Sequence, residues 1–182
     1  KGRPNGDTQS GRLDVESCHS LCRAAADGAS FRVLDYGDCG IDDTGATALA
    51  DLLILNNNLQ RMYLNMNDVT EKGARALAAA LAARPGLKLL TLDLSDNVGM
   101  GNDSAVALAA ACRATAPVEI RISNCGIADV SALAFKDRVS LKENDGIKRL
   151  HLGRIDLGPE TKLLLAKVAV QGDVKLFMTG EE

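Results

Sequence analysis

Residues 34 to 45, LDYGDCGIDDTG, place four aspartates and three glycines within twelve positions. Carboxylates at that density could ligate a divalent cation. A calcium loop of the EF-hand kind, however, needs oxygen ligands at its first, third and fifth positions and a glycine at the sixth. That spacing is absent here. Asp42 and Asp43 stand instead where a helix would begin, and one of them is expected to cap its free N–H groups. The stretch CHSLC, residues 18 to 22, sets Cys18 and Cys22 four apart on one helical face with His19 beside them. A closed zinc site takes four ligands, and the only other histidine is His151, far along the chain. Cys18 and Cys22 are therefore expected to be buried thiols. The chain has no GxSxG elbow, no phosphate-binding P-loop and no GxGxxG turn. No enzyme activity, metal or cofactor is expected.

The elements that position these residues must come from an unusual composition. Hydrophobic residues make up 46% of the 182, yet aromatics are only 3% and tryptophan is missing. A core without large rings is expected to consist of uniform layers of Leu, Ile, Val and Ala. The net charge of −3 argues against a nucleic-acid footprint. No apolar run approaches the roughly 20 residues that span a bilayer. Five cysteines without CxxC pairs favour reduced thiols in a cytoplasmic setting. The opening residues do not read as a signal peptide, and none is expected. Position 1 is Lys rather than Met, as expected of a processed chain or one cut from a larger protein.

Layers of that kind follow from an internal repeat. Phe31-x-x-Leu34-x-Tyr36-x-x-Cys39-x-Ile41 recurs 28 residues on as Leu59-x-x-Met62-x-Leu64-x-x-Asn67-x-Val69. It returns as Leu89-x-x-Leu92-x-Leu94-x-x-Asn97, followed by Met100 after a one-residue insertion. Pro117, Ile120, Ile122, Cys125 and Ile127 make the fourth unit, and Ile147, Leu150, Leu152, Ile155 and Leu157 the fifth. Eight residues after the last apolar position of each unit stand Leu49, Leu77, Leu108, Phe135 and Leu165. Extrapolating back reaches Leu21, which shares a helical face with Val15, Cys18, Cys22 and Ala25. A period of 28 to 30 residues signals a solenoid, whose units bury their apolar faces only by stacking.

Each unit reads as a short strand, a turn and a helix, the clearest helices being Thr44–Leu55, Glu71–Ala83 and Asp103–Ala114. Their alanines allow close helix approach and favour the helix itself. The column Cys39, Asn67, Asn97 and Cys125 leaves the strand for the turn, where an Asn side chain can bond the backbone of the neighbouring unit. Cys is a weaker substitute, and Ile155 ends the ladder.

These aligned residues resemble leucine-rich repeats of the ribonuclease-inhibitor-like subclass, over about residues 13 to 178. The resemblance implies an α/β solenoid, a curved horseshoe with parallel strands on the concave face and helices on the convex face. It would hold about five repeats behind a leading half repeat. Residues 1–12 read as a flexible lead-in and 13–182 as a single repeat domain. Departures from the pattern are Pro117 at a strand start, the extra residue near Gly99, and the weakly patterned helix region within residues 128–146.

On such a sheet the third, fifth and eighth positions of each unit face the concave side. These are Val33, Asp35 and Asp38; Arg61, Tyr63 and Met66; Thr91, Asp93 and Asp96; Glu119, Arg121 and Asn124; and Arg149, His151 and Arg154. Aspartates collect in the first three units and cations in the last two, so a face acidic at one end and basic at the other is expected. The candidate partner-binding residues are Asp35, Asp38, Arg61, Tyr63, Met66, Asp93, Asp96, Arg121, Arg149, His151 and Arg154, with the three C-terminal arginines favouring an acidic partner. A final strand over Val174–Thr179 would present an open edge as a second contact.

The resemblance implies a non-enzymatic protein-interaction module or scaffold subunit within a multi-subunit assembly. Relatives of this subclass include axonemal proteins of cilia and flagella, which implies a cytoplasmic, cytoskeleton-associated setting. Two alternatives are a regulator of a small GTPase similar to the Ran GTPase-activating proteins, and the sensor domain of a larger receptor.

Overall fold

A computed structural model describes residues 15–26, 31–56, 58–84, 89–112, 119–136 and 147–178. The lead-in over residues 1–12, Pro117, and residues 137–146 of the weakly patterned region lie outside the described residues. So do the side chains of Val15, Cys22 and Ala25. The described residues begin with helix α1 (Val15–Ala26), then alternate β1 (Val33–Asp35), α2 (Asp43–Leu55), β2 (Arg61–Tyr63), α3 (Glu71–Ala83), β3 (Thr91–Asp93) and α4 (Gly101–Ala111). They continue with β4 (Glu119–Arg121), the short α5 (Asp129–Ala132), a 3₁₀ turn (Leu133–Phe135), β5 (Arg149–His151), α6 (Pro159–Gly172) and β6 (Lys175–Phe177). The six strands form one parallel sheet in chain order.

Register follows the repeat without a slip. Leu34 pairs with Met62, Met62 with Leu92, Leu92 with Ile120 and Ile120 with Leu150. This row is buried, as is the helical row Leu49, Leu77, Leu108, Phe135 and Leu165. Strands in a sheet lie about 4.8 Å apart, whereas packed helices need roughly 8–10 Å. The helix layer is therefore the wider one, and the array bends with its sheet inside. Small residues keep the helix spacing low. A Cβ on Gly73 would lie 2.7 Å from Asp43 Oδ1 and 2.9 Å from the Ala46 Cβ, so the α2–α3 contact requires glycine there.

The turn after each strand is equally regular. Asp38, Met66, Asp96, Asn124 and Arg154 all take the left-handed conformation, with φ between 53° and 62°. The residue after each of the first four belongs to the ladder, whereas Ile155 after Arg154 ends it. Asn67 Oδ1 accepts from the backbone N–H of Cys39 and of Ile41, while its Nδ2 donates to Tyr36 O and Leu64 O. Asn97 is wholly buried. Its Oδ1 accepts from Val69 N, and its Nδ2 donates to Leu64 O and Leu94 O. Cys125 keeps one of these bonds, from Sγ to Leu94 O at 3.1 Å. Burial pushes its thiol pKa up to about 12, so it stays protonated and able to donate.

A second ladder, not foreseen in the sequence, joins the helix N-termini. Asp42 caps its own helix by accepting from Thr44 N and Gly45 N. Asp43, one residue on, reaches into the next unit: Oδ1 accepts from Thr70 N and Gly73 N, and Oδ2 from the Thr70 hydroxyl. Asn102 accepts from Ala128 N in the same way, and Asp129 from Gly158 N. Ala128 and Gly158 have no side-chain oxygen with which to cap their own helices. Thr70 makes no side-chain cap bond to α3.

Burial disfavours the charge on Asp43, but the hydrogen bonds from Thr70 and Gly73 outweigh it and hold the carboxyl below its ordinary value. A depressed carboxylate pKa stabilises the fold above the unfolded value, near pH 4, and that contribution is lost as pH falls through the folded value. Asp43→Ala is expected to lower stability by about 1 kcal/mol at pH 7. Its deficit against the parent chain should shrink when urea unfolding is repeated below pH 4. A deficit that holds constant down to pH 3 would mean that Asp43 acts by packing and not by charge.

The third unit departs where the insertion predicted it. Helix α4 begins at Gly101 rather than Asp103, preceded by Met100 in helical geometry. The extra residue shifts the turn so that Val98 O approaches Gly126, where a Cβ would meet it at 2.5 Å. The weakly patterned region yields only the one-turn α5 and the 3₁₀ turn before the described residues end at 136. Cys18 is buried against α2, within 3.6 Å of a Cβ placed on Gly45. Among the described residues no group of three or more His, Cys, Asp or Glu could hold a metal. None of the helices among the described residues is long and apolar enough to cross a membrane.

Candidate functional site

Parallel register brings the concave-facing columns into rows across the sheet: Val33, Arg61, Thr91, Glu119, Arg149 and Lys175 in one, and Asp35, Tyr63, Asp93, Arg121, His151 and Phe177 in the other. All eleven candidate residues lie on this sheet or in its left-handed turns, but they divide into two dissimilar halves.

Over β3, β4 and β5 the face is closed by its own side chains. Glu119, 6% exposed, is the centre. Its Oε1 accepts from Arg121 Nε at 2.8 Å, and its Oε2 lies 2.9 Å from Arg149 Nη2 and 3.0 Å from Arg149 Nε. His151 Nε2 sits 3.0 Å from Glu119 Oε1, without the alignment of a hydrogen bond. Arg121 also reaches towards Asp93, at 3.8 Å. Above this row Asp96 accepts from Arg154 Nη2 at 2.7 Å and from Asn124 Nδ2 at 2.8 Å. The His151 ring stacks on Phe177, with centroids 4.2 Å apart and planes within 8°.

The electrostatics follow from this packing. Burial alone would raise the Glu119 pKa, but the two guanidinium groups outweigh it and hold the carboxyl below its ordinary value. Burial, helped by the Arg121 charge, lowers the His151 pKa and keeps the ring neutral near pH 7. Burial raises the Asp93 pKa, against hydrogen bonds from Ser95 and the Arg121 charge.

These contacts correct the two-ended charge pattern expected from the sequence. In the last three units three carboxylates (Asp93, Asp96 and Glu119) face three guanidinium groups (Arg121, Arg149 and Arg154) across contacts of 2.7–3.8 Å. The basic end is thereby neutralised from within. Asp93, expected to face solvent, is only 7% exposed because Arg121 from the next strand lies towards it. Glu119, outside the candidate set, proves to organise this half. Its signal was present in the sequence: an acid with arginines two positions on and one 30-residue repeat later.

Over β1 and β2 the face is open. Asp35, Asp38 and Arg61 are exposed and Tyr63 is half-buried. Val33 and Met66 are 47% and 51% exposed, apolar surface with nothing packed over it among the described residues. Asp35 accepts from Gly37 N of its own turn.

A parallel sheet in chain order, a helix layer outside it and an Asn/Cys ladder between units together define an α/β solenoid of stacked strand–turn–helix repeats. The leucine-rich repeat family matches at residues 29–50, 55–78 and 87–109. The chain is a leucine-rich repeat protein of the ribonuclease-inhibitor-like type. It is 35% identical over 88 residues to the ribonuclease inhibitor of Sus scrofa, a match covering 48% of this chain and 19% of that protein. It is 29% identical over 92 residues to leucine-rich repeat-containing protein 45 of Gallus gallus, covering 50% of this chain and 14% of that protein. The chain thus matches less than a fifth of the length of either relative. Among solved structures, the tropomodulin C-terminal domain of Caenorhabditis elegans shares the fold with a TM-score of 0.67 at 16% identity, over 87% of this chain and 93% of that one. Leiomodin-1 actin-binding site 2 does so with a TM-score of 0.65 at 12% identity, over 84% and 87%.

Proposed function

We propose that this chain is a non-enzymatic protein-interaction module that grips its partner on the concave sheet face and acts as a scaffold subunit in a cytoskeletal assembly. The observation that carries the reading is the asymmetry of that face: one half is occupied by its own ion pairs, while the other leaves Val33, Tyr63 and Met66 without a covering layer among the described residues. Amphipathic aromatic residues on a rigid sheet suit a partner hot spot. The cytoskeletal part draws support from the fold shared with a domain named as an actin-binding site.

The test is photocrosslinking in the source cell, with a crosslinking residue at Tyr63 on the sheet or at Val106 on the outer helices. The same proteins should be captured repeatedly from position 63, with cytoskeletal components among them, and few from position 106. Capture from position 106 alone would move the interface to the convex side and defeat the reading.

A further inference from the structure

The open half of the concave face also has a chemistry of its own. Exposed Val33 and Met66 flank half-buried Tyr63, and register sets Asp35 directly beside Tyr63. Asp38 stands in the left-handed turn next to that of Met66. Two more exposed carboxylates, Asp42 and Asp68, lie in the loops just beyond the same strand ends. Against these four acids the strands contribute one exposed cation, Arg61, and Arg32 stands at the opposite end of β1. In the other half every concave arginine already has a carboxylate partner.

Resting on the concave-face reading above, we infer that the open half over β1 and β2 docks an extended, basic segment of another protein. Its apolar side chains would cover Val33, Tyr63 and Met66, and its Lys or Arg side chains would face Asp35 and Asp38. Charge complementarity selects this occupant. An acidic segment would meet uncompensated carboxylates at one end and arginines already paired at the other. Unlike charges across a rim orient and steer a partner, so the association should be salt-sensitive.

Two labelled ten-residue peptides of alternating sequence, Lys-Leu and Glu-Leu, test this by fluorescence anisotropy with the whole chain. The Lys-Leu peptide should bind and the Glu-Leu peptide should not. Asp35→Asn combined with Asp38→Asn should weaken binding by about tenfold. Asn tolerates the left-handed turn at position 38 and keeps an acceptor for Gly37 N, and an unchanged melting temperature would verify the fold. Arg149→Gln with Arg154→Gln should change the affinity by less than about twofold. Lys-Leu binding that ignores the aspartate pair, or no binding by either peptide, would overturn the inference. Preference for Glu-Leu, lost in the arginine pair, would overturn it while leaving the concave-face reading intact. Crosslinking of the peptide from Val106 but not from Tyr63 would remove both.

Discussion

Replacing Asn97 with Leu is expected to cost roughly 2–4 kcal/mol, several times the effect of an ordinary surface change. Asn97 is fully buried in the middle of the array and serves four backbone groups: the N–H of Val69, the carbonyls of Leu64 and Leu94, and, at the longer distance of 3.4 Å, that of Ser95. Leucine is close in size but can neither donate nor accept. The Val69 N–H would be left unpaired away from water, at about 1–3 kcal/mol. The Leu64 and Leu94 carbonyls would each lose one of two side-chain donors and keep Asn67 and Cys125 respectively. The groups belong to two neighbouring units, so the interface between them weakens along with the turn. Asn97→Cys should be milder, because Cys125 shows that a thiol at this position can still donate to the preceding unit's carbonyl. Urea unfolding with an unchanged slope should rank the parent above Asn97→Cys, and that above Asn97→Leu. Equal midpoints for the two variants would mean that volume rather than hydrogen bonding sets the ladder's worth.

Leu77→Ala should be comparably damaging, at about 2–5 kcal/mol. Leu77 is fully buried in α3, between the layers of α2 and α4. Neighbouring alanines such as Ala74 and Ala78 are too short to fill the space it would vacate. Arg149→Ala offers the contrast. Arg149 is 45% exposed at its side chain, and Glu119 keeps Arg121 as a partner when it is gone. That loss should stay below about 1 kcal/mol. Thermal or urea unfolding that placed Arg149→Ala below Leu77→Ala in stability would sink the layer assignment.

How much of this was legible in the residues can be judged column by column. The apolar rows announced themselves because burial demands them in every unit. Leu34, Met62, Leu92, Ile120 and Leu150 fill one row, and Leu49, Leu77, Leu108, Phe135 and Leu165 another. The Asn/Cys ladder was visible for a related reason, since four of the five left-handed turns are followed by Asn or Cys and Ile155 alone breaks the column. The helix at Glu71–Ala83 was predicted to the residue, and α2 differed by one at its start. The third unit's helix began two residues early because it starts as far beyond Asn97 as α3 starts beyond Asn67, so the inserted residue is taken up in the helix's first turn. Asp42 and Asp43 shared one expected role, and the structure separated them into a cap for their own helix and a brace for the next.

The sequence by itself determined the fold, the order of the strands and which side chains look inward. Those follow from a period of 28–30 residues and from the rule that every apolar face must be covered by its neighbour. Only the tertiary structure decided which concave charges are free. Counting charges along the array made Arg121, Arg149 and Arg154 a basic end, whereas stacking places them against Glu119 and Asp96. Those partners lie as far as 58 residues away in the chain. Parallel strands put positions one repeat apart within a side chain's reach, and a long guanidinium arm can choose among several acids there. Residue type and spacing place a charge on a face; what neutralises it is settled by which arm meets which carboxylate once the units are stacked.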